Sequence, residues 1–254
     1  MEYSNKDIMR EIMIVETMLR DVYDATVDEE ERKKCPICNN TLRLYLPHGV
    51  KLRKNAKCPV CGSVERQRTL WLYMQEHKDI LGEGQDIKIL HFAPERPVFN
   101  KISMIEGVDY YPVDINPEFY GIRDVVDITN IQYEDNFFDL IICYHVLEHI
   151  PDDIKAMSEL FRVLKPSGKA LINVPFDKAR EVTLEDEKYN TPELREKYYE
   201  QFDHVRLYGK DYVKRLEKVG FHVDTVHPNV NRSAHELKIY GVGADETIDI
   251  CKKQ

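Results

Sequence analysis

The stretch Asp139-Leu-Ile-Ile-Cys-Tyr-His-Val-Leu-Glu-His149 decides the fold of this chain. A short apolar run opens directly into a polar segment, which is typical of a buried parallel strand that ends at a ligand site. Two earlier strand-like runs end in acidic residues, at Asp114 and at Asp127. Because parallel strands of an open α/β sheet end at one edge, these polar residues should meet along that edge.

Carboxylates at the ends of neighbouring strands suit an adenosyl cofactor. One carboxylate can accept hydrogen bonds from both hydroxyls of a ribose, and we assign this role to Asp114, with Ile115 beside it. The next one can hold an adenine amino group, which we assign to Asp127 and its neighbour Ile128. The sequence therefore predicts an adenosyl cofactor across the strand ends.

From residue 87 onward the chain alternates strand-like and helix-like segments, as βαβ units do. We predict strands at 87–92, 109–114, 124–126, 139–143, 169–174, 221–226 and 236–241. We predict helices at 64–81, 152–164 and 210–219. The fold class is therefore α/β, with seven strands.

The segment from residue 87 to about 243 resembles the class I S-adenosylmethionine-dependent methyltransferases. The resemblance is carried by Tyr111-Pro-Val-Asp114, by Asp127-Ile-Thr129, by residues 136–150 and by Leu160-Phe-Arg-Val-Leu-Lys-Pro-Ser-Gly168. It implies a Rossmann-like seven-stranded sheet whose last strand is antiparallel. It also implies S-adenosylmethionine as the cofactor and methyl transfer as the activity.

The first strand ends in a variant of the family's cofactor loop. The family carries Gly-x-Gly-x-Gly there, whereas this chain reads His91-Phe-Ala-Pro-Glu95. Ala93 is small enough for close approach but restricts φ, and Pro94 removes a backbone donor. The resemblance assigns His91, Phe92, Ala93, Pro94 and Glu95 to cofactor binding. We expect Glu95 to replace contacts that the missing glycines would make.

Two histidines are candidates for a general base. The end of the fourth strand borders the methyl group in this fold, so the resemblance places Tyr144 and His145 beside the cofactor. An alcohol acceptor benefits from a base, and histidine is the usual one near neutral pH, so we predict His145 and His204 as catalytic residues. Glu148 and His149 could also hold a divalent ion. With His145 in place of another carboxylate the sequence does not favour a metal, and we interpret His149 as structural.

A polar, aromatic insertion at residues 177–208 follows the fifth strand. A segment of this length is usually functional in a compact domain, and in related methyltransferases it covers the substrate. It ends in Asp203-His-Val-Arg-Leu-Tyr-Gly209, which resembles a string found in methyltransferases of sugars and surface glycans. We predict Arg206 and Tyr208 as acceptor contacts. The alternative is a structural ion pair between Asp203 and Arg206.

Six cysteines include two Cys-Pro-x-Cys pairs, Cys35-Pro-Ile-Cys38 and Cys58-Pro-Val-Cys61, separated by nineteen residues. Each pair makes a tight knuckle whose two thiolates fit adjacent corners of a tetrahedron, so the four sulfurs predict a structural Zn²⁺ site. Redox-active pairs or free thiols are the alternatives. Strand-like runs at 41–46 and 50–53 should form the ribbon between the knuckles.

The predicted ribbon is basic. Residues 32–68 contain ten Lys or Arg and one acidic residue, Glu65, although the whole chain has a net charge of −9. A basic ribbon on an acidic body could steer an anionic partner such as RNA, a sugar nucleotide or a phosphorylated glycan, or it could simply be solvated. Arg66 and Arg68 are the two basic residues that we expect near the cofactor cleft.

The chain divides into three predicted parts. Residues 1–31 form an N-terminal amphipathic helix, residues 32–68 the zinc ribbon and residues 69–254 the methyltransferase domain. The helix is predicted from apolar residues at helical spacing, namely Ile8, Ile12, Val15, Leu19 and Val22.

Composition agrees with a soluble globular protein, since 43% of the 254 residues are hydrophobic and both signs of charge are abundant. The longest apolar run is too short to span a bilayer, and the start of the chain lacks the pattern of a signal peptide. We therefore expect a cytoplasmic protein without membrane insertion. The oligomeric state stays open.

The predicted function is an S-adenosylmethionine-dependent methyltransferase that acts at an oxygen of a small molecule or glycan. The first alternative is an RNA methyltransferase that grips phosphates with the basic ribbon. Base-methylating sites often carry an Asn/Asp-Pro-Pro-aromatic string after strand four, and none occurs here. The second alternative is a non-catalytic adaptor that binds a partner through the zinc ribbon.

Overall fold

A computed structural model of the chain describes Val15 and residues 32–49, 52–82, 86–118 and 121–253. Apart from Val15, which is helical, the predicted N-terminal helix lies outside the described residues. None of the helices in the described part is long and apolar enough to cross a membrane.

The described residues form eleven strands: β1 (Lys33–Lys34), β2 (Thr41–Leu42), β3 (Leu46–His48), β4 (Arg53–Lys57), β5 (Ile87–Phe92), β6 (Val108–Asp114), β7 (Asp124–Val125), β8 (Phe138–Tyr144), β9 (Leu164–Asn173), β10 (Phe221–Val226) and β11 (Ile248–Lys253). They also form six α-helices: α1 (Glu65–Glu76), α2 (Arg96–Ile102), α3 (Asp153–Val163), α4 (Pro192–Tyr199), α5 (Tyr212–Lys218) and α6 (Ala234–Tyr240). Short 3₁₀ turns lie at Lys78–Leu81 and Leu147–His149.

Seven of these strands form one sheet in the order β10-β11-β9-β8-β5-β6-β7. β5 pairs in parallel with β6 on one side and with β8 on the other, and β8 pairs in parallel with β9. β11 is antiparallel to both of its neighbours. The predicted Rossmann-like sheet with an antiparallel last strand is confirmed.

The position of that last strand was wrong in the sequence prediction. Residues 236–241 fall in α6 and its C-terminal cap, where the Ser233 side chain accepts a hydrogen bond from the Glu236 amide and Gly241 ends the helix with φ 61°. The strand is Ile248–Lys253 instead. Its Ile-Asp-Ile-Cys alternation was a period-two signal, but the capping box before residue 236 was the stronger clue for a helix.

The ribbon strands also differ from the prediction. The first knuckle is closed by β1 and β2, which pair Lys33 with Leu42. The second hairpin pairs β3 with β4, so strand structure runs over Arg53–Lys57 rather than 50–53. The predicted boundary between ribbon and methyltransferase domain at residue 68 stays a prediction, and α1 runs across it.

Both faces of the sheet are covered. The β8 residues Ile141 and Cys143 lie in one apolar cluster with residues of α3 and α5. Leu140 and Ile142 lie in the other, together with α1 and the ribbon. The second cluster includes Cys35 and Cys58, so the ribbon packs as part of the cover of the sheet.

Arg68 joins the ribbon to the end of α6. Its buried guanidinium donates hydrogen bonds to the backbone oxygens of Ser63 (2.6 Å), Ala56 (2.9 Å) and Tyr240 (2.8 Å), and it lies 4.0 Å from the centre of the Tyr45 ring. All of these contacts are structural, because they satisfy carbonyls that would otherwise be buried without a partner. The expectation that Arg68 faces the cofactor cleft is therefore corrected.

Candidate functional site

The polar strand ends predicted from the sequence meet at one edge of the sheet. The Ala93 amide, just after β5, donates to the Val113 oxygen in β6 (2.9 Å). On the other side of β5, the His145 amide after β8 donates to the Asn173 oxygen at the end of β9 (2.9 Å). The residues that follow β5, β6 and β8 therefore share the edge at which open parallel sheets bind ligands.

Asp114 and Asp127 each present one carboxylate oxygen to this edge. Oδ1 of Asp114 accepts from the Asn116 amide (2.7 Å), and Oδ1 of Asp127 accepts from the amide of Thr129 (2.8 Å). The Thr129 contacts lower the pKa of Asp127 and keep it ionised. No described residue bonds to either Oδ2 atom, so both are oriented acceptors.

The apolar neighbours of these two carboxylates differ in exposure. Ile115 is exposed beside Asp114, as a residue that flanks a bound ring would be. Ile128 is buried in the core, so its backbone can reach the site while its side chain cannot.

The variant loop after β5 adopts the backbone form that glycine would normally take. Ala93 has φ 45°, a left-handed conformation that costs a non-glycine residue about 1–2 kcal/mol. His91 and Phe92 point into the sheet and are buried, so their side chains position the loop rather than touch a ligand. The assignment of these two residues to cofactor binding stays a prediction, and the burial of their side chains limits it to the backbone. Pro94 is also buried and leads to Glu95, which caps α2.

Glu95 is paired with Arg66 across the sheet edge. Arg66 lies in the first turn of α1, and one of its terminal nitrogens contacts the Glu95 carboxylate. Both side chains are partly exposed, at 32% and 20%. Tyr144 is buried nearby, and burial raises the pKa of its hydroxyl well above the usual value. The pair therefore presents adjacent opposite charges at the strand ends.

A cavity of about 770 Å³ opens between the β3–β4 hairpin and the end of β8. Its polar lining includes His48, Arg53, Arg66, His145, His149 and His204. The sequence predicts the two candidate bases, His145 and His204, but not the hairpin beside them, since nothing in the ribbon's pattern indicates which end of the sheet it approaches.

Glu148 lies buried beneath the histidines of this cavity, with 1% of its side chain exposed. Nδ1 of His145 lies 3.4 Å from its Oε1, and Nε2 of His149 lies 4.0 Å from the same oxygen. No described residue donates a well-formed hydrogen bond to either oxygen. His145 has φ 54°, so the backbone is turned sharply where the strand meets this cluster.

His204 and His149 are held from outside the cluster. Nδ1 of His204 lies 3.0 Å from the Tyr199 oxygen, and burial lowers the pKa of this histidine. Nδ1 of His149 lies 3.5 Å from Oδ2 of Asp203. The two rings meet edge to face with centres 4.8 Å apart. Both imidazoles therefore use Nδ1 for these contacts and leave Nε2 free of them.

Arg206 and Tyr208 do not line the candidate acceptor cavity. Arg206 is buried and donates to the oxygens of Leu147 (3.0 Å) and Pro151 (2.8 Å) and to Glu185 (2.9 Å). The Tyr208 hydroxyl is buried and donates to Asp153 (2.7 Å). Both predictions of an acceptor contact are corrected, because these side chains tie the insertion to the segment after β8. The alternative pair with Asp203 is also wrong, since the acidic partner of Arg206 is Glu185.

The four knuckle cysteines lie close together and fit a zinc ribbon. Sγ of Cys35 is 3.7 Å from Sγ of Cys61, and Sγ of Cys38 is 3.8 Å from Sγ of Cys58. Sulfurs on one tetrahedral Zn²⁺ at about 2.3 Å stand about 3.8 Å apart, whereas a disulfide needs about 2.05 Å. Contacts with Cys58 and Cys61 lower the pKa of Cys35.

Comparisons with known proteins agree with this architecture. A family profile described as a methyltransferase domain matches residues 81–226. Phosphoethanolamine N-methyltransferase 1 of Triticum aestivum is 31% identical over 152 residues, which are 59% of this chain and 25% of that protein. Demethylmenaquinone methyltransferase of Staphylococcus haemolyticus is 25% identical over 171 residues, which are 66% of this chain and 59% of that protein.

This chain thus spans a quarter of the wheat relative and less than two thirds of the staphylococcal one. Among solved structures, a SAM dependent methyltransferase from Archaeoglobus fulgidus aligns with a TM-score of 0.49 and 16% identity. That alignment covers 74% of this chain and 94% of the other.

We predict that His91 makes the protein less stable in mild acid. Burial lowers the pKa of His91 from 6.5 to about 3, so the unfolded chain takes up the proton first as the pH falls. The contribution of neutral, buried His91 to the free energy of unfolding is complete above about pH 6.5. It falls progressively towards pH 3, and about 2 kcal/mol of it is lost at pH 5. His91→Gln should reduce the loss of unfolding free energy between pH 7.5 and pH 5 by that amount.

Urea unfolding at the two pH values checks this prediction. His235→Ala, which removes an exposed histidine, is the control and should keep the pH dependence of the natural protein. An unchanged pH dependence in His91→Gln would show that His91 is not the buried titrating group.

Proposed function

Because the chain belongs to the methyltransferase-domain family, we propose that it transfers a methyl group from S-adenosylmethionine to an oxygen of a small molecule or glycan. The observation that carries the proposal is the position of His145. It follows β8 at the cofactor edge of the sheet and lines the cavity, with the buried Glu148 carboxylate behind it. The edge of the sheet that would bind the cofactor and a side chain that could accept a proton therefore lie side by side.

We assign the adenosine part of the cofactor to the two free carboxylate oxygens. Oδ2 of Asp114 would accept from the ribose hydroxyls, and Oδ2 of Asp127 would accept from the adenine amino group. Ile115, exposed beside them, would cover one face of the adenine ring. These groups suit the ligand, because each is an acceptor already held in place by a second hydrogen bond.

We assign the amino acid part of the cofactor to the Arg66–Glu95 pair. In the variant loop the Ala93 amide is bonded to Val113 and Pro94 has no amide hydrogen, so the loop has few free donors. A zwitterion with one ammonium and one carboxylate is complementary to a glutamate beside an arginine. Glu95 would hold the ammonium group and Arg66 the carboxylate.

When bound, S-adenosylmethionine supplies a methyl group on a positively charged sulfur. The chain's part is to hold the acceptor in line with that methyl group and to receive its proton. In that transfer the acceptor oxygen would bond to the methyl carbon while the carbon–sulfur bond breaks, with the electron pair left on sulfur. Nε2 of His145 takes the hydroxyl proton, while its Nδ1 lies 3.4 Å from Oε1 of Glu148. His204 is less suited to this role, because it is turned towards Glu148 and His149.

The histidines and arginines of the cavity lining suit a hydroxylated acceptor and can attract an anionic group. Arg53 and Arg66 are each already paired with a glutamate, however, and Glu148, Glu200, Leu52 and two prolines also line the cavity. The name of the wheat relative gives a phosphorylated amine as its acceptor, which agrees in charge but not in the atom methylated. Transfer to a nitrogen is therefore the second outcome that an acceptor screen should detect.

The RNA alternative receives less support from the ribbon than its charge suggests. Of the ten basic residues, Lys33 and Arg68 are buried. Arg53 is paired with Glu65, and Arg66 with Glu95. Less of the positive charge is thus available for phosphates, and salt-dependent RNA binding would be weak.

We also propose that the ribbon holds one structural Zn²⁺ on Cys35, Cys38, Cys58 and Cys61. The sulfur distances match a tetrahedral ion, and the Ser63 hydroxyl lies within 3.2–3.4 Å of two of the sulfurs as an outer contact. Because the cysteines lie in the apolar cluster that covers the sheet, the ion would stabilise the cover as well as the ribbon.

We predict that two substitutions will separate the two halves of the cofactor site. Asp114→Ala should weaken binding of S-adenosylhomocysteine and of 5′-methylthioadenosine by about 1.5–3 kcal/mol, the range for hydrogen bonds to charged groups. Glu95→Gln should weaken only S-adenosylhomocysteine, because methylthioadenosine lacks the amino acid.

Calorimetric titration measures the affinity for each ligand. The control is Asp245→Ala, which removes an exposed carboxylate elsewhere on the protein. Failure of the natural protein to bind either ligand at millimolar concentration would support the adaptor alternative. Equal weakening of both ligands by Glu95→Gln would remove the Arg66–Glu95 pair from its assigned role.

We predict that His145→Ala lowers turnover by roughly 10²–10⁴, the usual contribution of a general base, while cofactor affinity stays unchanged. Release of S-adenosylhomocysteine over a panel of anionic hydroxylated acceptors measures turnover. His222→Ala, on an exposed part of β10, is the matched control. Near-normal turnover of His145→Ala on the best acceptor would mean that placement alone accounts for catalysis.

We predict about one tightly held zinc per chain. Cys58→Ser should lose the metal and much of the soluble yield, because the binding energy of a four-cysteine site is folding energy. Elemental analysis and thiol titration of the native protein check this. Cys251→Ala, which removes a buried thiol from the sheet, should keep its zinc. Native protein without zinc and with freely reactive thiols would contradict the proposal.

A further inference from the structure

Glu148 is a buried carboxylate without a hydrogen-bond donor. Both of its oxygens are inaccessible to solvent, and no described residue bonds to either. A buried charge is costly unless it is paired or coordinates a metal. The fold nevertheless places this side chain at the floor of the 770 Å³ cavity, directly after the strand end that borders the cofactor edge. The nearest donors, Nδ1 of His145 at 3.4 Å and Nε2 of His149 at 4.0 Å, do not form a good hydrogen bond with it, so the carboxylate can accept a further partner.

The two imidazoles beside Glu148 are oriented as metal ligands usually are. Metal-binding histidines commonly give their other ring nitrogen to a carbonyl or carboxylate, which fixes the ring and its tautomer. Nδ1 of His204 is next to the Tyr199 oxygen at 3.0 Å, and Nδ1 of His149 is next to Asp203 at 3.5 Å. In both rings Nε2 is therefore the nitrogen that would bind a metal ion.

The ligand atoms are close enough to share one ion. A carboxylate oxygen of Glu148 and one nitrogen from each of His149 and His204 all lie within 4.8 Å of one another. Ligands at about 2.1 Å around one tetrahedral ion stand about 3.4 Å apart, so the side chains have to draw slightly closer. They come from two segments, the turn after β8 and the end of the insertion, which the Arg206 contacts hold together.

We propose that Glu148, His149 and His204 bind a divalent transition-metal ion at the floor of the cavity. Two imidazoles and one carboxylate suit Zn²⁺, Fe²⁺ or Mn²⁺, and this set leaves coordination positions open. The site is separate from the knuckle cysteines, whose four thiolates would close the shell of their own ion. It uses His149, for which the sequence indicated only a structural role.

The open positions point to the kind of acceptor that the cavity takes. An ion on three protein ligands accepts oxygen donors from a bound molecule, so an acceptor with two neighbouring oxygens, such as a hydroxy acid or a vicinal diol, would chelate it. Coordination lowers the pKa of a hydroxyl, which would ease its transfer of a proton to His145. This role rests on the proposed methyl transfer, whereas ion binding itself does not.

The test uses the full chain after a mild chelator has removed loosely held metal and elemental analysis has verified the zinc that remains. Co²⁺ is then titrated in and followed by visible absorption and calorimetry. We expect one further equivalent to bind with weak ligand-field bands and without the intense sulfur charge-transfer band of a cysteine site. Binding of Co²⁺ only with sulfur charge transfer, or no further equivalent at all, would overturn the proposal.

Variants locate the ion. His204→Ala and Glu148→Gln remove ligands and should each lower Co²⁺ affinity by more than about 100-fold, because outer contacts alone typically contribute 10–100-fold. Asp203→Asn changes only an outer contact of His149 and should lower affinity by about 10–100-fold. His235→Ala should leave affinity unchanged. Equal affinity in all four variants would place the ion elsewhere and refute the site.

Two controls keep this test independent of the proposed function. Thermal unfolding and retained cysteine-bound zinc show which variants are folded, and if a ligand variant is not, Asp203→Asn decides the question, since Asp203 is 43% exposed. Affinity for S-adenosylhomocysteine is measured in the metal-free protein. Cofactor binding without a second ion would refute the metal site alone, and a second ion without cofactor binding would refute the proposed methyl transfer alone.

Discussion

A parallel sheet with apolar residues on both faces has to be covered on both, and this constraint organises the molecule. One face of the central strands is covered by α3 and α5, in the usual manner of a βαβ fold. The other is covered by α1 together with the ribbon, whose cysteines pack into the same apolar cluster as Leu140 and Ile142. Because the ribbon is part of the cover, the β3–β4 hairpin comes to lie over the end of β8. The cavity exists where the hairpin meets that strand end.

Buried polar side chains connect the parts that this packing brings together. Arg68 joins the ribbon to the end of α6, and Arg206 joins the insertion to the turn after β8. Both arginines donate mainly to backbone carbonyls, which would otherwise be buried without partners. Their planar guanidinium groups can bond to several carbonyls at once, which a lysine cannot do. Arg206 thereby also sets the position of His204 relative to Glu148, although it does not line the cavity.

Two of the described non-glycine residues with a left-handed backbone lie at the ends of adjacent strands. Ala93 after β5 and His145 after β8 both have left-handed backbone conformations, which are unfavourable for non-glycine residues. The turn at Ala93 positions Glu95, which pairs with Arg66. The turn at His145 directs its side chain into the cavity above Glu148. Such strain persists only where the surrounding sheet holds it, and here the held turns carry the groups proposed for cofactor and acceptor.

The sequence by itself determined the sheet, the strand ends and the cysteine knuckles, because each depends on a local pattern. Apolar runs that end in Asp114, Asp127 and His145 predict both the strands and their shared edge, and the Cys-Pro-x-Cys spacing predicts the closeness of the sulfurs. The helix Ala234–Tyr240 was missed, and a strand was predicted at 236–241, because a short apolar run fits either period; here a capping box decided for the helix.

Tertiary structure alone decided which polar residues face solvent, core or cavity. Arg206 and Tyr208 look like binding residues in sequence, but in the fold they bond to Leu147 and Asp153, which lie more than 50 residues away in sequence. Glu148 and His149 are neighbours in the sequence, but only the fold brings His204 to them. Burial and convergence arise from contacts between distant segments, and no local pattern of residues records them.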